Sequence, residues 1–248
     1  MNYDTLINPV VRDIPPSGIR KFFDIVQKME GAISLGVGEP DFMTPWCIRE
    51  AAIYSIEQGK TQYTANRGAI ELRRAISKYL RDRFSLCYDP VKEILVTVGV
   101  SEGIDVALRA ICGPGDEVLV PDPSYVSYAP GVALAGGKPV AVRTLASEDF
   151  RLRSRDIEAV ITPRTKALIL PYPNNPTGAV MEKKDLEALL PVIIKHDLFV
   201  LSDEVYAELN YGAPHVSIAT LPGMAERTLL LSGMSKALSM TGWRIGYA

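Results

Sequence analysis

The 248-residue chain has little cysteine and almost no histidine. Its three cysteines, Cys47, Cys87 and Cys112, are far apart and form no CxxC pair. That excludes a disulfide framework and reads as reduced thiols in a cytoplasmic protein. The two histidines, His196 and His215, stand at no ligand spacing, so no metal site is expected. Neither charge sign is in excess: 27 Lys and Arg face 29 Asp and Glu, for a formal charge of −2. Such a surface argues against nucleic acid or an anionic membrane as partner, since both demand a basic face. No apolar run approaches the ~20 residues of a spanning helix. Residues 1–15 carry acids and prolines where a signal peptide needs a basic start and an apolar run.

What is present suits a folded core. Hydrophobic residues make up 47% of the chain, far from the disordered range. The length fits one large domain or two small ones. Short runs rich in Val, Ile and Leu predict strands at residues 94–98, 117–120, 139–142, 167–170, 198–201 and 228–231, with a short one at 33–35. Helical patterns fall at 17–30, 70–84, 102–111, 125–134, 155–161 and 184–195. A further helix runs to about residue 58, with Thr44 as its expected cap and Pro45 in its first turn. Strands apolar on both faces that alternate with helices predict an α/β fold, a mostly parallel sheet between two helical layers. There is no internal repeat, low-complexity segment or evident linker. The chain stops at Ala248 inside the apolar run 243–248, as expected of a truncated chain.

Ligands of open parallel sheets bind where the strands end, so the loops after the strands carry the chemistry. Pro173-Asn174-Asn175-Pro176-Thr177-Gly178 follows a strand directly. It is a rigid turn, and either only that or a holder of an amide side chain. Asp203 lies just past an apolar strand, where it can cap a helix or face a ligand cation. Lys236 sits among Met, Ala, Leu and Ser without an acidic neighbour. Buried, it would have a lowered pKa and become a nucleophilic amine fit for a Schiff base; exposed, it is an ordinary loop lysine. Arg244 follows between apolar residues, a setting in which a guanidinium meets an anion such as phosphate. Val98-Gly99-Val100-Ser101-Glu102-Gly103 joins a strand to a helix and has the form of a phosphate cradle.

Together and in this order, these motifs resemble the class I/II aminotransferases of pyridoxal-phosphate (PLP) fold type I. The specific parts are Ser235-Lys236-Ala237-Leu238-Ser239-Met240-Thr241-Gly242-Trp243-Arg244-Ile245-Gly246-Tyr247 and Asn175-Pro176-Thr177-Gly178. The resemblance implies a three-layer α/β/α large domain over residues 41–248. It implies that residues 1–40 contribute to a small domain and a substrate loop, and that the C-terminal small domain, with its carboxylate-binding arginine, is missing. Lys236 would form the internal aldimine with PLP and then shuttle the proton. Asp203 would pair with the pyridine nitrogen. Asn175 and Tyr206 would bond the ring's 3-oxygen, and Tyr125 would stack on the ring. Ser101, the backbone of Glu102, Ser235 and Arg244 would hold the phosphate. Gly38 would lie beside the substrate carboxylate, with Asn175 also on the substrate side. Tyr63 would reach the phosphate of a neighbouring subunit, which implies a homodimer with shared sites.

The implied reaction moves an amino group from an L-amino acid to a 2-oxo acid by a ping-pong path. On the same scaffold the alternatives are a carbon–sulfur lyase or an inactive PLP-binding fragment. A PLP-binding regulatory module would carry an N-terminal DNA-binding segment, whereas this chain begins with aminotransferase-like sequence. A nicotinamide dehydrogenase is disfavoured because Pro40 follows Gly36-Val37-Gly38 and no third glycine is correctly spaced.

Overall fold

The computed structural model describes residues 3–16, Ile25, Met29, Gly31 and 38–248. Of the expected elements, the helix at 17–30 (Ile25 and Met29 apart) and the strand at 33–35 lie outside the described residues, as do Gly36 and Val37.

Seven strands form one sheet: β1 (Val96–Val98), β2 (Glu117–Asp122), β3 (Lys138–Arg143), β4 (Thr165–Leu170), β5 (Phe199–Asp203), β6 (Thr228–Gly233) and β7 (Ile245–Tyr247). Their order is β1-β7-β6-β5-β4-β2-β3. The pairs from β6 through β3 are all parallel, while β7 is antiparallel to both its neighbours. Two antiparallel steps restore direction, so β1 runs with the parallel set. Its carboxyl end therefore lies on the same edge as those of β2, β4, β5 and β6.

Alternation along the strands makes two cores. In β4, Leu168 and Leu170 join Leu119, Val200, Leu189 and Ile193 on one face. Ala167 and Ile169, one residue out of phase, join Val118, Leu108, Val132 and Leu231 on the other. The first face is covered by α6 (Ser154–Glu158) and α7 (Lys183–Lys195), the second by α4 (Gly99–Ile111) and α5 (Tyr128–Leu134). The helix α3 (Ile70–Phe84) adds a third cluster through Ile76 and Leu80, against Leu230 and Tyr247. This is the expected three-layer α/β/α fold.

Two elements differ from the sequence reading, and one run left unassigned there takes a definite form. Thr44 does not cap α2 (Trp46–Glu57); Pro45 holds that position with no side-chain cap. Thr44 is instead buried, donating to the Ser239 carbonyl (2.6 Å) and accepting from Trp243 Nε1 (3.1 Å). The helix expected from residue 125 begins at Tyr128. The run 243–248 contains a strand, β7, which passes close to a segment far away in sequence. A Cβ on Gly246 would meet the Gly99 carbonyl carbon at 2.4 Å and the Val100 nitrogen at 2.5 Å. Only hydrogen fits between β7 and the start of α4.

Backbone cannot yield as a flexible side chain can, so Gly246→Ala is expected to destabilise the fold by about 3 kcal/mol. Gly242→Ala, where nothing lies within 4 Å, is the control. Denaturant titration of both variants checks this, and equal stabilities would refute the contact's importance.

Candidate active site

The carboxyl ends of β1, β2, β4, β5 and β6 surround a cleft of about 300 Å³. Gly38, Ser101, Tyr125, Asn175, Asp203, Tyr206, Ser235, Lys236 and Arg244 all line it. Nine residues spread over more than two hundred positions of sequence thus converge, eight of them because their strands meet one sheet edge. Tyr63 does not line this cleft; its ring is fully exposed.

Asp203 closes β5 and is buried. No helix follows it, so it caps none; its Oδ1 accepts from the Val205 N–H at 3.2 Å and closes its own turn. Its Oδ2 accepts from the Tyr128 hydroxyl at 2.8 Å. Burial pushes the Asp203 carboxyl up to about 6, against the pull of those two donors. Burial first, and then the neighbouring Asp203 charge, drive the Tyr128 hydroxyl far upward, so it stays protonated and donates.

Tyr128 is the site residue that the sequence reading missed. It lies inside the helical stretch 125–134, where nothing in the local sequence sets it apart except its spacing. Tyr125 and Tyr128 are three apart, and their rings meet edge to face at 5.5 Å. Thr241, which also lines the cleft, was likewise passed over; its hydroxyl donates to the Glu39 carboxylate.

The two adjacent asparagines divide the work of their turn. Asn174 is buried and binds the turn to itself, its N–H donating to Ala179 O (2.8 Å) and its carbonyl accepting from Gly178 N–H (2.9 Å). That leaves the Asn175 side chain to the cleft, where its Nδ2 donates to the Tyr206 hydroxyl at 3.4 Å.

Lys236 lies in the short helix α8 (Met234–Ala237) that follows β6. Burial first, and Arg244 after it, hold its amine below the usual lysine range, with Glu39 opposing. The amine donates to the Gly38 carbonyl at 2.5 Å and stands 5.7 Å from the centre of the Tyr206 ring. Among the described residues, neither Lys236 nor Asp203 is in an ion pair. Asp203 thus stands at the cleft without a counter-charge, while Lys236 has Glu39 near it but forms no ion pair with it.

At the other end of the cleft, α4 presents its positive N-terminal dipole. The Val98 N–H donates to the Glu102 carboxylate, and the Gly99 N–H to the Arg244 carbonyl at 3.0 Å. The Arg244 guanidinium packs on Gly99 so closely that a Cβ there would meet Nη2 at 2.4 Å. With the Ser101 and Ser235 hydroxyls on the same cleft wall, this end suits a phosphate-sized anion. The buried carboxylate suits a cation, and the lysine suits a carbonyl carbon. A phosphorylated pyridine aldehyde has all three groups, so the residues fit pyridoxal phosphate.

Comparison with known proteins agrees with this chemistry. Residues 30–248 match the family described as Aminotransferase class I and II. The aromatic-amino-acid aminotransferase 2 of Thermococcus litoralis is 48% identical over 94% of this chain and 60% of its own length. The aspartate aminotransferase of Pyrococcus abyssi is also 48% identical, over the same shares. The solved structure of N-succinyldiaminopimelate aminotransferase from Mycobacterium tuberculosis superposes with a TM-score of 0.93 at 38% identity, covering 98% of this chain and 63% of that one. The chain spans about three fifths of the length of the relatives it matches. On the strength of a match over most of its length and of a cleft whose residues fit the cofactor, the chain belongs to the class I and II aminotransferase family.

Proposed function

We propose that the protein is a PLP-dependent aminotransferase that moves an amino group from an L-amino acid to a 2-oxo acid. The observation that carries this reading is the pairing of Lys236, an amine held below its usual range, with Asp203, a buried carboxylate that lacks a cation, on one cleft. Bound pyridoxal phosphate supplies an electron sink for the bonds of the substrate's α-carbon. Lys236 would hold the cofactor covalently, and its neutral amine would be the base placed to take the substrate's α-proton. Its lowered pKa keeps more of it neutral near pH 7. Asp203 would accept from the ring nitrogen and favour its protonated form. Asn175 and Tyr206 would bond the ring's 3-oxygen, Tyr125 would cover the ring, and Tyr128 would orient Asp203. Ser101, the Glu102 backbone, Ser235 and Arg244 hold the phosphate, and Gly38 borders the substrate carboxylate, with Asn175 also on the substrate side.

Residues 41–248 form the large domain in this reading, and residues 1–40 belong with the small domain and the substrate loop. Similar relatives carry names for aromatic, aspartate and N-succinyldiaminopimelate donors, so the reading stops at the class of α-amino acids. Three free thiols suit a cytoplasmic location. Among the described residues no helix is long and apolar enough to cross a membrane.

A second copy of the chain is the proposed partner. The helix α2 buries none of its residues, and Trp46, Ile53, Tyr54 and Ile56 are all exposed, as are Phe42 and Met43 before it. An apolar surface of that extent marks an interface, and Tyr63 beyond it is free to serve the other subunit's phosphate site.

Three measurements test these assignments. Borohydride reduction of the PLP-treated protein is expected to leave a pyridoxyl adduct on Lys236, with a visible band before reduction and neither signal in Lys236→Ala. Folded protein with no band and no adduct would overturn the reading. Light scattering is expected to give twice the chain mass, with Ile56→Asp shifting it toward one; a monomeric wild type would sink the shared site.

The third concerns pH. The folded pKa of Asp203 is raised, so its stabilising contribution is complete below pH 4 and is lost as pH rises through about 6. Without cofactor, Asp203→Asn should therefore gain about 2–3 kcal/mol over wild type at pH 8 and almost nothing near pH 3. Thermal melts across that range check the sign. A gain independent of pH would show that the carboxylate is not strained by its burial.

A further inference from the structure

The Glu204 carboxylate has no part in the roles above. It follows Asp203 directly, is 3% exposed, and does not line the cleft. Consecutive residues at a strand's end point to opposite sides, so Glu204 turns inward as Asp203 turns to the cleft. Its Oε1 accepts from the Ser202 hydroxyl at 2.9 Å and from the Ser217 hydroxyl at 2.6 Å. Its Oε2 lies 2.7 Å from His215 Nε2. The Phe84 ring packs edge-on against that imidazole at 5.8 Å.

The backbone of Glu204 is held as well. Its N–H donates to the Leu231 carbonyl at 2.8 Å, and its own carbonyl accepts from Ser232 Oγ at 3.4 Å. Five bonds thus fix one residue to β5, β6 and the segment 215–217. One peptide unit separates this anchor from Asp203, and only Val205 stands between it and Tyr206. An apolar side chain of similar size would fill a core at least as favourably as a buried carboxylate. What the carboxylate adds is direction, because each of its bonds has a required geometry.

We propose that Glu204, held by His215 and Ser217, is a positioning residue that fixes the 203–206 turn, so that Asp203 and Tyr206 present their polar atoms to the cofactor ring together. This rests on the reading of the cleft as a PLP site. Glu117 supplies the natural control. It is equally buried, at 2% exposure, and bonds Lys138 and Thr162, yet it starts β2 at the sheet edge away from the cleft.

The experiment compares Glu204→Gln, Ser217→Ala and Glu117→Gln with wild type. It reads the melting temperature without cofactor, PLP affinity by absorbance titration, and the position of the visible band. Glu204→Gln and Ser217→Ala are each expected to weaken PLP binding about tenfold, the scale of one lost charge-assisted hydrogen bond, and to displace the band. Glu117→Gln should lower the melting temperature while leaving affinity and band as in wild type. Should Glu204→Gln not fold, Ser217→Ala and His215→Gln, which each remove one partner, carry the test. Wild-type affinity and band in the Glu204 and Ser217 variants would overturn the positioning role alone, as would an equal loss of affinity in Glu117→Gln. A wild type that takes up no PLP would overturn the reading of the cleft, and this inference with it.

Discussion

A carboxylate buried at the end of a central strand is costly, and much of this site is arranged around that cost. Asp203 sits where β5 emerges between β4 and β6, away from water, and its proton affinity rises accordingly. The hydroxyl of Tyr128 and the amide of Val205 offset part of the penalty. What they leave unmet is a charge that a cation in the cleft would satisfy.

The opposite end of the cleft depends on the absence of side chains. Gly99 admits the Arg244 guanidinium, and Gly246 admits the start of α4 against β7. Arg244 itself has a left-handed backbone, φ 56°, with its Nη1 donating to the Thr241 carbonyl. The antiparallel strand β7 therefore does more than complete a sheet. It brings Arg244, the one arginine among the described residues of the cleft lining, to the N-terminus of α4, while α8 brings Lys236 to the cleft. Anion site and amine are spaced by one short stretch of chain, residues 233–246, pinned at both ends by glycine contacts.

Several roles could be read before any coordinates because they follow from chain-local chemistry. The apolar runs of β2, β4 and β5 had to be strands covered on both faces, and they are. Lys236 and Arg244 stood among apolar neighbours, which left burial and exposure both open; the structure half-buries Lys236 and leaves Arg244 exposed, each with a backbone carbonyl as partner. The turn at 173–178 declared its rigidity through its prolines. Which of its two asparagines would be spent on the turn was not legible, because that depends on the amide of Gly178 and the carbonyl of Ala179 closing back on Asn174. Tyr128 was hidden for a similar reason: a tyrosine on a helix's apolar face looks like core until the strand behind it presents a carboxylate.

The sequence by itself determined the layered α/β class, the order of the motifs and the chemical types gathered at the strand ends, since these rest on periodicity, turn chemistry and charge. Only the tertiary structure decided which residues share the cleft, that Thr44 is tied to Ser239 and Trp243 rather than capping α2, and that Glu204 is anchored behind Asp203. Those outcomes rest on contacts between residues far apart in the chain. A hydrogen bond's direction and a carboxylate's burial are properties of the assembled neighbourhood, which no local stretch of residues contains.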